Sequence, residues 1–336
     1  MKAKMEKGVI LMKMPQLRIL ATSFCGRQCI YCRPTGEGTP NCKSTSINFS
    51  KALKICTLYK EWGGTDIKIS GGDPIFLPFI VEFIYELKNK IGIKQIELIT
   101  RSPKVADLVY DLKNAGLDIL NFSLDVIDPK LYYLITGSND YNELIETIKK
   151  CSAILPVKIN SVIMKGINYG YVNKLIDFCE ENGIQHLKLL DVIDDLQDSC
   201  DDNSSRLSLF GANKLKDLFI TLDELSLIIS NKAATSSIVY QGGLGHPMNE
   251  YTMPSGLVVT FKNSQNGAWY GDICKECCHY PCHDALMALR YTPDNKLQFC
   301  LLNEDVSIPL NEENENEIVK KFTDALRIYN EATFHN

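Results

Sequence analysis

No apolar run in this chain approaches the roughly 18 residues that a membrane-spanning helix needs. Residues 1–14 are too charged and too short to read as a secretory signal. These two absences argue against a helical membrane protein and place the chain in the cytoplasm. An excess of charge is missing as well. Lys and Arg number 36 against 41 Asp and Glu, a formal net charge of −5, which argues against broad nucleic-acid binding. Neither a repeat of fixed period nor a low-complexity block occurs. What remains is ordinary globular composition: 336 residues, 45% hydrophobic and 23% charged, enough for a main domain with an appendage. Cysteine alone stands out. Thirteen of them, an odd number without a signal sequence, suit a reducing compartment where thiols ligate metal rather than pair as disulfides.

Strand-like and helix-like patterns alternate through the first two thirds. Strands are expected at 17–22, 66–70, 95–100, 119–123, 157–163 and 186–190, and amphipathic helices at 50–62, 79–90, 105–115, 141–151 and 172–181. Gly63, Gly92, Gly116 and Gly183 fall between helical runs and strands, where a left-handed residue would end a helix. Right-handed crossovers of this length imply a parallel sheet. Six such strands make an α/β fold, a partial (β/α)6 TIM-like barrel. Residues 207–230 read as a helix completing the barrel wall, the acidic 194–205 stretch as a solvated loop, and 241–246 as a turn. Past residue 233 the texture shifts to β-forming residues, with a hairpin at 251–261 around Pro254-Ser255-Gly256 and a final helix at 318–332. The expected organisation is an extension at 1–14, a barrel at 15–230 and a C-terminal domain at 231–336.

Two motifs carry chemistry. The first is Phe24-Cys-Gly-Arg-Gln-Cys-Ile-Tyr-Cys-Arg33, after the first strand. A [4Fe–4S] cube normally takes four thiolates, so Cys25, Cys29 and Cys32 would leave one iron open to a substrate or cofactor. Zinc or idle thiols are the bland reading, but the next cysteine, Cys42, lies beyond a Thr-Gly-Glu-Gly-Thr-Pro loop. The second motif, Lys68-Ile-Ser-Gly-Gly-Asp-Pro74, falls at the end of the second strand. Both stand at C-terminal strand ends, where barrels gather reactive groups.

A further cysteine cluster lies near the C-terminus: Cys274, Cys277, Cys278, Cys282 and Cys300. An auxiliary [4Fe–4S] cluster on Cys274, Cys277, Cys282 and Cys300 is the expectation, with structural zinc the alternative, because spacing alone does not choose the metal. Cys278 is then spare, and His279 and His283 are exposed or supporting residues. Four protein ligands would close this cluster; three would leave an iron for substrate.

The two N-terminal motifs resemble those of the radical S-adenosylmethionine enzymes, with Asp73 where that family usually has Glu. Within them the chain is similar to the GTP cyclases that begin molybdenum-cofactor biosynthesis. The likeness runs through Leu17-Arg-Ile, Ala115-Gly-Leu-Asp-Ile-Leu-Asn-Phe-Ser-Leu-Asp125, Val157-Lys-Ile-Asn-Ser-Val-Ile-Met-Lys-Gly-Ile-Asn168 and Leu289-Arg-Tyr-Thr-Pro-Asp-Asn-Lys-Leu-Gln-Phe-Cys300. It implies that Gly71, Gly72, Asp73 and Pro74, with Thr100 and Ser123, hold the methionine end of S-adenosylmethionine. Tyr31 and the backbone near Ile163 and Ile193 would border its adenine. By the same resemblance, Arg18, Lys158, Lys188 and Arg290 match basic positions that contact a nucleotide. The C-terminal part would be an auxiliary-cluster domain of the twitch or SPASM kind.

This chain also departs from the cyclase pattern. Seventeen residues separate Cys282 from Cys300, more than usual; Asp66 and Ala288 stand where basic residues are expected; and the chain ends Thr333-Phe-His-Asn336 without a Gly-Gly tail. The reading is therefore a paralogue acting on another small molecule.

Strand parity adds an independent hint. With Ser70 and Thr100 pointing inward, Lys68 does so too, and alternation suits Arg18, Lys158 and Lys188. Only Asp66 shares that parity as an obvious counter-charge, so a bound anion, a phosphorylated small molecule, is expected. The expected chemistry is reductive cleavage of S-adenosylmethionine and hydrogen abstraction by the 5′-deoxyadenosyl radical, with a flavodoxin or ferredoxin as electron donor. A peptide-modifying radical enzyme is the runner-up, although the N-terminal extension is short for a leader-recognition domain. A non-catalytic double-cluster carrier is the alternative of another class, and it has no need of the Gly-Gly-Asp-Pro turn.

Overall fold

The computed structural model describes residues 14–32, 45–193, 206–240, 247–263, 269–278, 280, 282, 286, 288–303, 306–310, 314–330 and 334–335. The readings placed on residues 1–13, 194–205 and 241–246, and on Cys42, His279 and His283, lie outside them.

Six strands run in sequence order: β1 (Gln16–Thr22), β2 (Asp66–Gly71), β3 (Gln95–Thr100), β4 (Ile119–Ser123), β5 (Val157–Val162) and β6 (His186–Leu190). Each pairs parallel with the next. Between them lie α1 (Phe49–Glu61), α2 (Ile80–Tyr85), α3 (Val105–Ala115), α4 (Pro129–Thr136), α5 (Tyr141–Ser152) and α6 (Val172–Glu181). The four glycines expected to end helices have φ of +96° (Gly63), +78° (Gly92), +101° (Gly116) and +64° (Gly183), a region that costs other residues more. Two features escaped the periodicity. Asp128, whose carboxylate accepts from the backbone N–H of Lys130 and Leu131, caps α4 with Pro129 in its first turn. And α2 continues into a wider π-helical segment, Glu86–Ile91, where Lys88 Nζ reaches both oxygens of Asp118 at 2.7 and 2.8 Å.

Among the described residues, six further strands extend this sheet at both edges, and two short ones pair antiparallel with each other in a separate sheet. These are β7 (Thr235–Tyr240), β8 (Pro247–Thr252), β9 (Val258–Lys262), β10 (Trp269–Tyr270), β11 (Ala288–Tyr291), β12 (Lys296–Gln298), β13 (Ser307–Pro309) and β14 (Phe334–His335), of which β10 and β14 form the separate pair. β9 lies parallel to β6, and β11 parallel to β1. The order is β13-β12-β11-β1-β2-β3-β4-β5-β6-β9-β8-β7, so the barrel is partial and its sheet stays open. The expected hairpin is β8–β9. The final helix, α8, spans Glu315–Asn330.

The continuous helix expected at 207–230 is corrected. Short 3₁₀ turns, Ser208–Phe210 and Leu215–Leu218, precede a helix α7 limited to Asp223–Ser230. Gly211 at φ +69° ends the first turn, and Asp217 accepts from the backbone N–H of Asn213 and Lys214, diverting them from helical bonding.

One face of the sheet is apolar. Leu17, Ile69, Leu98, Phe122, Ile159 and Leu187 are fully buried and join the helices in one core, each contributing about 1.5–3 kcal/mol by its burial. Alternation sends Arg18, Lys68, Glu97, Asn121, Lys158 and Lys188 to the other face. Among the described residues no helix is long and apolar enough to cross a membrane.

Candidate active site

At the C-terminal ends of β1 and β2 the two N-terminal motifs touch through backbone. The Gly72 N–H donates to the Thr22 carbonyl at 2.6 Å and the Asp73 N–H to that of Phe24 at 2.7 Å. Only glycine fits here. A Cβ on Gly72 would lie 2.2 Å from the Phe24 oxygen, and one on Gly71, at φ +122°, 2.6 Å from the Thr22 oxygen. The Asp73 carboxylate accepts from the Thr100 hydroxyl at 2.7 Å, the Arg101 N–H at 2.9 Å and the Ile75 N–H at 3.3 Å. Burial raises its pKa against these bonds. Asp73 and Thr100 thus lock the end of β2 to the end of β3.

The thiols differ in setting. Cys29 is buried, Cys25 half-buried and Cys32 exposed, and none of the three is in a disulfide. Burial, with Asp73 adding to it, pushes Cys25 up to about 11; Cys29 is also raised by burial, against the pull of Arg101. The loop is tied to the end of α4: the Gln28 and Ile30 N–H groups donate to Thr136 and Ile135 carbonyls at 3.1 and 2.9 Å. Arg27 pairs with Asp140 beside it. Among the described residues, no three His, Cys, Asp or Glu side chains stand together so as to hold a metal ion. The structure puts the three thiols on one loop and does not converge them.

Behind the loop lies a network that sequence reasoning missed. Arg101 donates from Nη2 to Asp125 Oδ2 at 2.8 Å and to the Tyr31 hydroxyl at 2.6 Å, while its Nη1 stands 3.4 Å from Cys29 Sγ. Tyr31 donates to the same Asp125 oxygen at 2.8 Å. Asp125 also accepts from the Val162 N–H, and Asn168 Nδ2 donates to the Asp125 carbonyl. Asp125 closes a segment that resemblance singled out, and Arg101 follows Thr100 directly; no spacing rule marks either. Of the other expected cofactor contacts, Ser123 ends β4 half-buried, Ile163 is buried with its N–H on the Leu190 carbonyl, and Ile193 lies half-buried just past β6.

On the polar face the parity argument needs correction. Glu97, not Asp66, is the counter-charge. Its carboxylate lies 3.2 Å from Lys68 Nζ and 3.5 Å from Lys158 Nζ, and accepts from Asn121 Nδ2 at 2.7 Å. Thr100 and Glu97 sit three residues apart, so taking Thr100 as inward placed Glu97 outward. The register pairs Glu97 with Lys68 instead. Burial opposes its charge, but Lys68 and Lys158 prevail and hold the carboxyl at about 2. Lys188 is driven well below the usual lysine range by burial and by Lys68, Lys262 and Arg18; Lys68 is lowered too, chiefly by burial. His186 is lowered to about 3 by burial, Lys158 and Lys188, and its Nε2 stands 2.6 Å from the Thr260 hydroxyl. Arg290 is fully buried, its Nη1 donating to the Phe299 carbonyl at 3.3 Å.

The C-terminal cysteines are partly assembled. Tyr270 packs against Cys274 and Cys282 and donates to the Cys282 carbonyl at 2.7 Å. The Cys277 N–H turns back onto the Cys274 carbonyl at 3.2 Å. Cys278 is exposed, and Cys300 accepts from the Leu302 N–H at 3.3 Å just past β12.

The model of the Radical SAM superfamily matches residues 19–179. A protein of Methanococcus aeolicus described as "Probable GTP 3',8-cyclase" is 30% identical over 325 residues, covering 93% of this chain and 95% of its own. The "GTP 3',8-cyclase" of Petrotoga mobilis is 25% identical over 88% of this chain and 84% of its own. Among solved structures, Streptococcus suis SuiB bound to S-adenosylmethionine superimposes with a TM-score of 0.60 at 16% identity, over 95% of this chain and 66% of that one. The structure of anSMEcpe with bound AdoMet gives 0.53 at 14% identity, over 94% and 82%. These two likenesses are of fold.

Proposed function

Because the chain belongs to the radical S-adenosylmethionine superfamily and, within it, to the GTP 3',8-cyclase family, we propose that it abstracts hydrogen from a small anionic substrate, a nucleotide or sugar phosphate, and rearranges or cyclises it. The observation that carries this is the seating of the three-cysteine loop on the Gly71-Gly72-Asp73 turn. The donor set fits a [4Fe–4S] cluster: three cysteines on one loop, none in a disulfide, with a guanidinium beside the buried one. When bound, that cluster would supply the electron for reductive cleavage of S-adenosylmethionine to methionine and a 5′-deoxyadenosyl radical.

The residues of the chain do the remainder. Cys25, Cys29 and Cys32 hold the cluster. Gly71, Gly72, Asp73 and Pro74, with Thr100 and Ser123, border the methionine end, and Tyr31, Ile163 and Ile193 the adenine. On the polar face Lys68, Lys158, Lys188, Lys262 and Arg18 crowd like charges together, a repulsion that an anion relieves. Arg290 stands in register with Arg18 on that face. Cys274, Cys277, Cys282 and Cys300 hold an auxiliary cluster, and a flavodoxin or ferredoxin delivers electrons.

Asp66, Ala288 and the Glu97 carboxylate, which takes up part of the charge of Lys68 and Lys158, favour a substrate other than GTP. The test incubates reconstituted protein with S-adenosylmethionine, dithionite and deuterated candidates in turn. Deuterium passing into 5′-deoxyadenosine from a phosphorylated small molecule is the expected result. Transfer only from GTP would overturn the paralogue reading, and transfer only from an uncharged peptide would overturn the substrate class.

A further inference from the structure

Arg101 is 6% exposed, and nearly every polar group it carries is held. Its Nη2 is fixed by Asp125 Oδ2 and the Tyr31 hydroxyl, its backbone N–H by Asp73 Oδ2, and its carbonyl by Arg27 Nη2 at 2.8 Å. So anchored, the guanidinium presents Nη1 to Cys29 Sγ at 3.4 Å, within the reach of an N–H···S hydrogen bond. Asp125 is itself 2% exposed and is locked by the Val162 N–H at 2.9 Å. The pair is therefore rigid and screened from water, where a charge acts most strongly on its neighbours.

We infer that Arg101 is a positioning residue that sets the reduction potential of the N-terminal cluster by donating an N–H···S bond to the Cys29 sulfur, with Asp125 governing how much of its positive charge the cluster feels. This rests on the reading that Cys25, Cys29 and Cys32 hold an iron–sulfur cluster. One-electron reduction makes such a cluster more negative. A donor and a positive charge at a ligand sulfur stabilise the reduced form more than the oxidised one, and so raise the potential. The carboxylate of Asp125 offsets part of that effect. The two residues thus pull in opposite directions, which a purely structural Arg–Asp tie would not do.

The test uses full-length protein reconstituted anaerobically, with iron and sulfide assayed first and the cluster then titrated with dithionite under electron paramagnetic resonance, without substrate. The three N-terminal cysteines are left intact and Cys274 and Cys277 are replaced by Ala, so that one cluster is read. Arg101→Gln is expected to lower the potential by the equivalent of a tenfold change in the reduction equilibrium, about 59 mV for one electron. Asp125→Asn is expected to raise it, and Arg101→Lys, which keeps charge without the fork, to fall between Arg101→Gln and the unsubstituted protein. Equal potentials in protein and variants that carry full iron would overturn the inference while leaving the cluster reading intact. Loss of iron from all three variants would make Arg101 a scaffold residue and overturn it as well. If the parent protein takes up no iron at the N-terminal site, the cluster reading itself fails, and this inference with it.

Discussion

At the scale of single residues the polar face is governed by Glu97 and the cations around it. His186 offers the cleanest pH signature. Its pKa falls from about 6.5 to about 3 on folding, so above pH 6.5 both states are neutral and the group is silent. Below that, the unfolded chain takes up a proton that the folded one refuses, and stability drops as the pH falls toward 3. Between pH 7 and pH 5 this group should remove on the order of 1–2 kcal/mol. Urea midpoints across that range should decline less steeply in His186→Gln than in wild type; parallel declines would contradict the assignment. Lys188→Met keeps the apolar stem and removes a charge from the same face. Calorimetry against nucleotides and sugar phosphates should show a roughly tenfold or greater loss of affinity with S-adenosylmethionine binding unchanged, and equal binding would remove the anion from the account. These residues also mark a limit of sequence reading. Lys68 and Lys158 were legible as inward, but their partner Glu97 was not, because parity counted from Thr100 at a strand end gives the wrong face.

At the scale of elements, most of the barrel could be read in advance. The boundaries of β3, β4, β6, α3 and α6 agree with the hydrophobic periodicity, because each buries one side against a regular neighbour. Where backbone bonding is local and side-chain driven, the pattern failed. Asp128 and Pro129 built a helix too short to show a period, and Asp217 and Gly211 broke one that seemed continuous. The turn at Gly71-Gly72 is the element on which the site depends. Gly72→Ala forces a Cβ to 2.2 Å from the Phe24 carbonyl oxygen, so the cysteine loop must shift. Reconstituted Gly72→Ala should carry less than half the N-terminal iron of wild type, by iron assay; full loading would show that the loop does not need this contact. The C-terminal cysteines give a separate test. With Cys25, Cys29 and Cys32 changed to Ala, iron and sulfide should remain, bound by Cys274, Cys277, Cys282 and Cys300. Stoichiometric zinc in their place would remove the auxiliary cluster.

At the scale of the whole molecule, the strands past residue 230 do something the sequence could not announce. Their β character was plain, but β9 joins β6 and β11 joins β1, pairings between segments far apart in the chain with no local signature. The result is one open sheet whose polar face carries Arg18, Lys68, Lys158, Lys188, Lys262 and Arg290, beneath a cysteine loop at the strand ends. Radical generation at that loop is the claim on which everything else depends. The direct measurement is release of 5′-deoxyadenosine from S-adenosylmethionine by anaerobically reconstituted protein under dithionite, quantified by chromatography. Wild type should release it and Cys29→Ala should not; wild type with a full N-terminal cluster that yields none under any reductant would contradict the account.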